Sequence, residues 1–215
     1  GSEMCIRDRP YRLGREANVF ELKEPSYREI YKAIKGKDKN SFLFTIEVDP
    51  AYGKYHFDGH RKCGVCLHPR DAKKLGGRCP VCGRKLTIGV LHRVLELADR
   101  PEGYVPTNAI PFKSIIPLQE VIAHVFGSDV HANRVWEEYA KLTKRFGNEF
   151  KVLLEVKLEE LKEVTYPKLA EAIVKVRERR YRVKPGYDGV YGVLTINGEE
   201  EKRELRKFLT LEDFM

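Results

Sequence analysis

The sequence predicts an α+β protein: a small lobe of short strands clasped by cysteines, beside a mainly helical C-terminal domain. Three observations predict it. Two Cys-x-x-Cys pairs, Cys63-Gly64-Val65-Cys66 and Cys79-Pro80-Val81-Cys82, stand twelve residues apart. Short runs rich in β-branched and aromatic residues flank them. Beyond Pro117, apolar residues recur at helical spacing.

The 215 residues suffice to bury a core in one or two compact domains beside the cysteine lobe. Arg12 to Phe20 reads as a turn and a short extended piece. Ser26 caps a helix over Tyr27–Lys35 that Gly36 ends. Phe42, Phe44, Thr45, Ile46 and Val48 make Ser41–Val48 a strand. Tyr52–Arg61 is a glycine-punctuated connector, Lys85–Val90 closes the lobe as a strand, and Val90–Leu97 is helical. Four prolines and little periodicity make 101–117 an ordered loop or interdomain strap.

Pro117 opens a helix through Phe126, stopped by Gly127. Ser128 or Asp129 caps the next, on which Val135, Tyr139, Leu142 and Phe146 share a face until Gly147. Leu158–Val164 forms a short helix. Pro167–Arg180 forms a longer one, with Leu169, Ile173 and Val176 inward and Lys175, Arg177, Arg179 and Arg180 at its cation-favouring end. Pro185–Gly192 is a loop entering a strand that ends near Ile196. Asn197-Gly198 could turn a hairpin there, and Glu199–Lys207 is a short helix or frayed.

The N-terminus reads as foreign. Gly1-Ser2 looks like a tag scar, and Met4-Cys5-Ile6-Arg7-Asp8-Arg9 like the in-frame translation of a transposon end used in preparing sequencing libraries. Cys5 is therefore left out of the metal count. No stretch approaches the roughly twenty apolar residues of a membrane span.

The paired cysteines read as a structural zinc site of Cys63, Cys66, Cys79 and Cys82. A two-residue gap lets both thiolates of a pair face one tetrahedral ion, and Pro80 and Gly83 suit the turn that offers backbone N–H groups to sulfur. Disulfides are the rival reading, but the Lys- and Glu-rich composition and lack of a signal peptide point to a reducing compartment. A thioredoxin-like motif needs only one pair. Arg61, Lys62, His68, Arg70, Lys73, Lys74, Arg78, Arg84, Lys85 and Arg93 crowd the lobe, with Asp71 almost alone in opposition. The chain carries a net charge of +8. Such clusters attract polyphosphates by counterion release, which makes a nucleic acid the expected partner.

Among other constellations, His56, Asp58 and His60 alternate as strand neighbours. They could form a second metal site or an acid/base cluster, but bracing of the connector, or base and phosphate contact, is the more economical reading. Asp129 and His131 superficially resemble a metal-binding Ser-Asp-x-His element, although a helix cap fits their position better. Tyr187 and Tyr191 could stack on an unpaired base or pack on the preceding helix.

Arg12-Leu13-Gly14-Arg15-Glu16, Gly53 through Arg61, the cysteine pairs, Leu86 through Arg93, Leu97-Ala98-Asp99-Arg100-Pro101 and Pro185 through Gly192 together resemble the endonuclease Q family, from Arg12 to Ile196. The resemblance implies a metal-dependent hydrolase domain of the polymerase and histidinol phosphatase type, then a zinc domain and a helical part. It implies nicking of DNA 5′ of uracil, hypoxanthine or xanthine, and at abasic sites. On this basis 12–50 is the end of the hydrolase domain, 51–100 the zinc-binding domain, 101–196 the helical domain with its terminal strand, and 197–215 a charged tail. The family's last Ser-Asp-x-His element would lie just upstream of Arg12. The chain is accordingly expected to lack the catalytic metal site, with magnesium or manganese bound only in the missing domain, and no catalytic residue is assigned.

The implied role is to grip duplex DNA and receive an extruded deaminated base. The residues expected to meet DNA are His56, Asp58, His60, Arg61 and Lys62 of the connector; Gly89, His92 and Arg93; Asn108 and Lys113 of the strap; and Tyr187. The expected compartment is the cytoplasm, with neither a membrane nor a small-molecule substrate as partner. The alternative is a zinc-ribbon module of a repair helicase fusion, or of an RNA-binding protein without nuclease activity.

Overall fold

The computed structural model describes residues 16–196; the readings for 1–15, for Asn197-Gly198 and for the tail lie outside the described residues. Eight α-helices and seven strands in three small sheets are found among those described, an α+β fold as expected. They divide into two units. One joins 16–48 to Val105–Arg180, the other joins Asp49–Tyr104 to 181–196.

In the first unit β1 (Ala17–Phe20) pairs antiparallel with β2 (Phe42–Val48), and Phe20 stacks on Phe42 at 4.7 Å. On the other side of β2 lies β5 (Phe112–Ile115), parallel, with Thr45 opposite Phe112 and Val48 opposite Ile115. The proline-rich strap therefore contains a strand that its sparse pattern hides. Between β1 and β2 runs α1 (Tyr27–Gly36), where the Ser26 hydroxyl accepts the Glu29 N–H at 3.3 Å as expected. Its stop differs by one residue. Gly36 stays helical and Lys37 takes the left-handed conformation at φ 47°, while Asp38 fixes the exit turn by accepting from Asn40 N–H and the Ser41 hydroxyl.

The helices of this unit are α4 (Leu118–Phe126), α5 (Asn133–Phe146), α6 (Glu149–Leu154), α7 (Leu158–Val164) and α8 (Pro167–Arg177). Gly127 ends α4 at φ 59°, as expected. Neither Ser128 nor Asp129 caps α5, because Asp129 accepts the His131 N–H in its own turn and the Ser128 hydroxyl accepts from Arg134. Helix α6 was not legible as a separate element; Asn148 caps it through the Lys151 N–H. Helix α8 closes early. Arg179 adopts φ 57° and the Arg180 N–H reaches the Lys175 carbonyl, which satisfies the last turn.

Val121, Ile122, Val135, Leu142, Val152, Leu161, Leu169 and Ile173 are fully buried among these helices, each contributing about 1.5–3 kcal/mol by leaving water. Several polar groups inside this core are satisfied. Glu149 accepts both the Leu118 N–H and the Tyr139 hydroxyl, Thr165 donates to Glu138, and the Arg177 guanidinium forks onto the Val152 and Leu153 carbonyls.

In the second unit β3 (Asp58–His60) pairs antiparallel with β4 (Val65–Leu67), and a 3₁₀ turn over Arg61–Cys63 joins them. The segment between the cysteine pairs holds a helix, α2 (Pro69–Lys74), with Pro69 in its first turn and the His68 ring accepting the Arg70 N–H. Lys85–Val90 is not a strand. It forms only isolated bridges, Thr87 with Gly59 of β3 and Lys85 with Arg78, before α3 (Val90–Leu97) begins. A small core of Val65, Leu67, Ala72, Cys79 and Leu86 holds the lobe, with Cys63 and Leu75 packed against it. Strands β6 (Arg182–Lys184) and β7 (Val193–Thr195) pair antiparallel. No described helix is long and apolar enough to cross a membrane.

Candidate metal centre

Strand β3 delivers His60, and the 3₁₀ turn that follows delivers Cys63 after a gap of two residues. Cys79 and Cys82 approach on a second turn, which Gly83 closes at φ 69°. The donor atoms of His60, Cys63, Cys79 and Cys82 all lie within 4.8 Å of one another, with His60 Nδ1 3.5 Å from Cys82 Sγ. Cys66 does not join them. After Gly64 the chain enters β4, where Val65 and Leu67 turn into the small core and Cys66 takes the other face, its Sγ 3.9 Å from the Pro185 carbonyl oxygen. The structure thus brings together three of the four expected cysteines and puts a histidine in the fourth place.

The electrostatics fit a cation. Burial, with the neighbouring Cys82 and Cys79 sulfurs, pushes the Cys63 thiol up to about 11. The Arg84 backbone N–H holds the Cys82 thiol below its ordinary value despite burial. Burial pushes Cys66 up to about 12, so it stays protonated near neutrality. Gathered thiolates repel unless a divalent ion sits among them. Three sulfurs and one imidazole match the tetrahedral, closed donor set of structural zinc. With all four positions supplied by the chain, such an ion would be a scaffold.

The His56, Asp58 and His60 constellation does not converge. Asp58 is fully buried; it accepts the Gly89 N–H at 2.7 Å and the His92 Nδ1–H at 2.6 Å, tying β3 to the start of α3. His56 stacks on Phe57, and burial lowers its pKa. Gly89 is required by space, since a Cβ there would lie 2.5 Å from the His56 and Phe57 backbone. Tyr187 is buried rather than available for stacking. It lies so close to Gly59 that a Cβ on that glycine would come within 2.4 Å of its ring. The exposed aromatic of its loop is Tyr191, with the Lys54 ammonium 4.6 Å above the ring.

Arg61, Lys62, Arg70, Lys73, Lys74, Arg78, Arg84, Lys85 and Arg93 are all exposed on this unit. Asp71 holds Lys74, and Glu96 holds Arg93. Asn108 and Lys113 belong to the first unit, where both are exposed and the Lys113 ammonium sits 4.2 Å over the Phe44 ring. Sequence reasoning weighed His60 as a metal donor only for a second site with His56 and Asp58, not for the place beside the cysteines where the structure puts it. Its signal was the His60-x-x-Cys63 gap, the same two residues that separate the paired cysteines.

Comparison with known proteins places this arrangement. A family model described as the MJ0043 C-terminal domain matches residues 117–180. The chain is 34% identical over 196 residues to MJ0043 of Methanocaldococcus jannaschii, covering 89% of this chain and 24% of that protein. It is 33% identical over 182 residues to YqxK of Bacillus subtilis, covering 84% and 43%. Among solved structures it is similar to PfuEndoQ, a lesion-specific endonuclease from Pyrococcus furiosus, at 35% identity and a TM-score of 0.78, covering 92% of this chain and 48% of that one. It is equally similar to an endonuclease Q solved with a 27-mer duplex substrate bearing an abasic lesion at the active site, at 35% identity and a TM-score of 0.77, covering 89% and 48%. The chain spans about half the length of those solved chains and less of the curated relatives. With its fold and over a third of its aligned residues in common with both solved chains, this chain is similar to endonuclease Q over most of its own length and about half of theirs.

Proposed function

We propose that this chain is the DNA-binding and lesion-recognition portion of a DNA repair endonuclease that nicks 5′ of deaminated bases (uracil, hypoxanthine, xanthine) or at abasic sites. The observation that carries the reading is a metal-competent group of one histidine and three cysteines, surrounded by exposed cations, in a fold shared with an endonuclease solved on duplex DNA. Zinc, held by His60, Cys63, Cys79 and Cys82, supplies rigidity to a lobe whose core is small. It does no chemistry there.

Around that scaffold, Arg61, Lys62 and Arg93 meet backbone phosphates; Asn108 and Lys113, on the other unit, are the strap's own contacts to DNA. Phosphate contacts set register without reading sequence. Extruding a base costs a few kcal/mol, least where pairing is already damaged, so selectivity for a lesion begins with the duplex itself. The metals that activate water belong to a hydrolase domain of the full-length enzyme. The reduced thiols suit the cytoplasm.

Fluorescence anisotropy tests the reading. The zinc-loaded chain should bind duplex with uracil, hypoxanthine or an abasic site more tightly than matched undamaged duplex or single-stranded RNA. Its log affinity should fall linearly with log salt, by about 0.9 per phosphate neutralised. Equal affinity for damaged and undamaged duplex would remove lesion recognition, and preference for RNA would favour an RNA-binding module.

A further inference from the structure

The turn that carries the metal donors lacks a cap of its own. His60 occupies the N-cap position of the 3₁₀ turn Arg61–Cys63 but makes no side-chain capping bond, its ring lying against Cys82 instead. The Arg61 N–H is nevertheless satisfied. Asp188, 127 residues further on, accepts it through Oδ2 at 2.6 Å. The other carboxylate oxygen accepts the Thr87 hydroxyl at 2.6 Å, and Thr87 exchanges both backbone hydrogen bonds with Gly59, the residue before His60.

The loop that carries Asp188 is itself anchored. The Gly186 carbonyl accepts the His56 and Phe57 N–H groups at 3.0 and 2.9 Å, and the Gly189 N–H reaches the Lys54 carbonyl. Tyr187 closes on Gly59, leaving no room for a side chain there. Asp188 holds φ 41°, in the left-handed region that most residues avoid and Asp and Asn tolerate. Every one of these contacts ends on the segment 54–61, which leads into the first two donors.

We infer that Asp188 is a positioning residue for the metal centre: by capping the Arg61–Cys63 turn from a distance, it leaves the His60 ring available as a ligand and fixes its approach. A side chain cannot both cap its own turn and face an ion. His60 therefore needs a proxy, and partners of this kind typically change metal affinity 10- to 100-fold when removed. The inference rests on the reading that His60, Cys63, Cys79 and Cys82 hold a metal.

Cobalt(II) titration of the full chain, followed by its d–d and thiolate charge-transfer bands, separates the two. Asp188→Gly keeps the left-handed backbone but removes both acceptor oxygens, and should weaken cobalt binding about 10- to 100-fold and shift the d–d bands. Asp188→Asn can still accept from Arg61 and meet Thr87, and should restore near-wild-type affinity, because Asn caps as well as Asp. Unchanged affinity and bands in Asp188→Gly would overturn the positioning role. Should that variant not fold, Thr87→Val decides, since it removes one of the two anchors that orient the carboxylate while leaving the loop intact: weakened binding supports the role and wild-type binding refutes it. Wild-type chain that binds no cobalt would sink the metal reading instead.

Discussion

Replacing His60 and Cys66 one at a time discriminates between the group of one histidine and three cysteines that the fold brings together and the four-sulfur site that cysteine spacing alone implies. His60 is one of four donors within 4.8 Å of one another. Structural zinc binds with about 10–16 kcal/mol of apparent free energy, so an equal share per donor is about 2.5–4 kcal/mol. At about 1.4 kcal/mol per decade, His60→Ala should weaken zinc binding by two to three decades. Cys66→Ser removes only a long contact from Sγ to the Pro185 carbonyl, worth less than the roughly 1 kcal/mol of an ordinary hydrogen bond. That variant should keep one zinc per chain at unchanged affinity. Elemental analysis and chelator competition measure both quantities. Zinc lost from Cys66→Ser and retained by His60→Ala would show that the ion sits among four sulfurs, contrary to the placement of β4.

Three further outcomes are expected. With magnesium or manganese added, the chain should not nick duplex carrying uracil, hypoxanthine or an abasic site, because the metal-competent group among the described residues is sulfur-rich and those ions prefer oxygen; cleavage abolished by Asp58→Asn would show otherwise. Ile173→Ala empties a fully buried site on α8 and should cost about 2–5 kcal/mol in urea unfolding at unchanged slope, whereas a loss near zero would mean that the helical core is not packed as described. Burial holds the His56 pKa below its ordinary value, with Asp49 opposing and His68 reinforcing. The unfolded chain therefore takes up this proton first, and the stability that His56 contributes is complete above about pH 6.5 and drains away as the pH falls toward the folded value. His56→Gln should flatten that part of the stability profile, and an unchanged slope would refute the assignment.

Much of the architecture could be read from the residues. Ser26 and Gly127 act as their chemistry dictates, and Leu169, Ile173 and Val176 of α8 are buried as spacing requires, while on α5 Val135 and Leu142 are buried and Tyr139 and Phe146 only half-buried. What escaped was non-local or short. Four residues of β5 carry no period of their own, and only pairing with β2 makes them a strand. Cys66 was misjudged because the two-residue gap outweighed its neighbours: Val65 and Leu67 on either side are the alternation of a half-buried strand, which points the intervening side chain the other way. Asp188 offered no local signal at all, since its partners lie 101 and 127 positions away.

The parallel pairing of β2 with β5 bears on the order of assembly. Val48 ends one strand and Phe112 begins the other, so residues 49–111, and with them the metal-competent group of His60, Cys63, Cys79 and Cys82, form the connection between them. Bringing the ends of a flexible connection together costs about (3/2)RT ln n, and a segment already compacted to a third of its effective length saves about 1 kcal/mol. Chelation should thus precede sheet closure, and nascent chains starved of zinc should acquire their helical half more slowly, even though none of its side chains touches the ion.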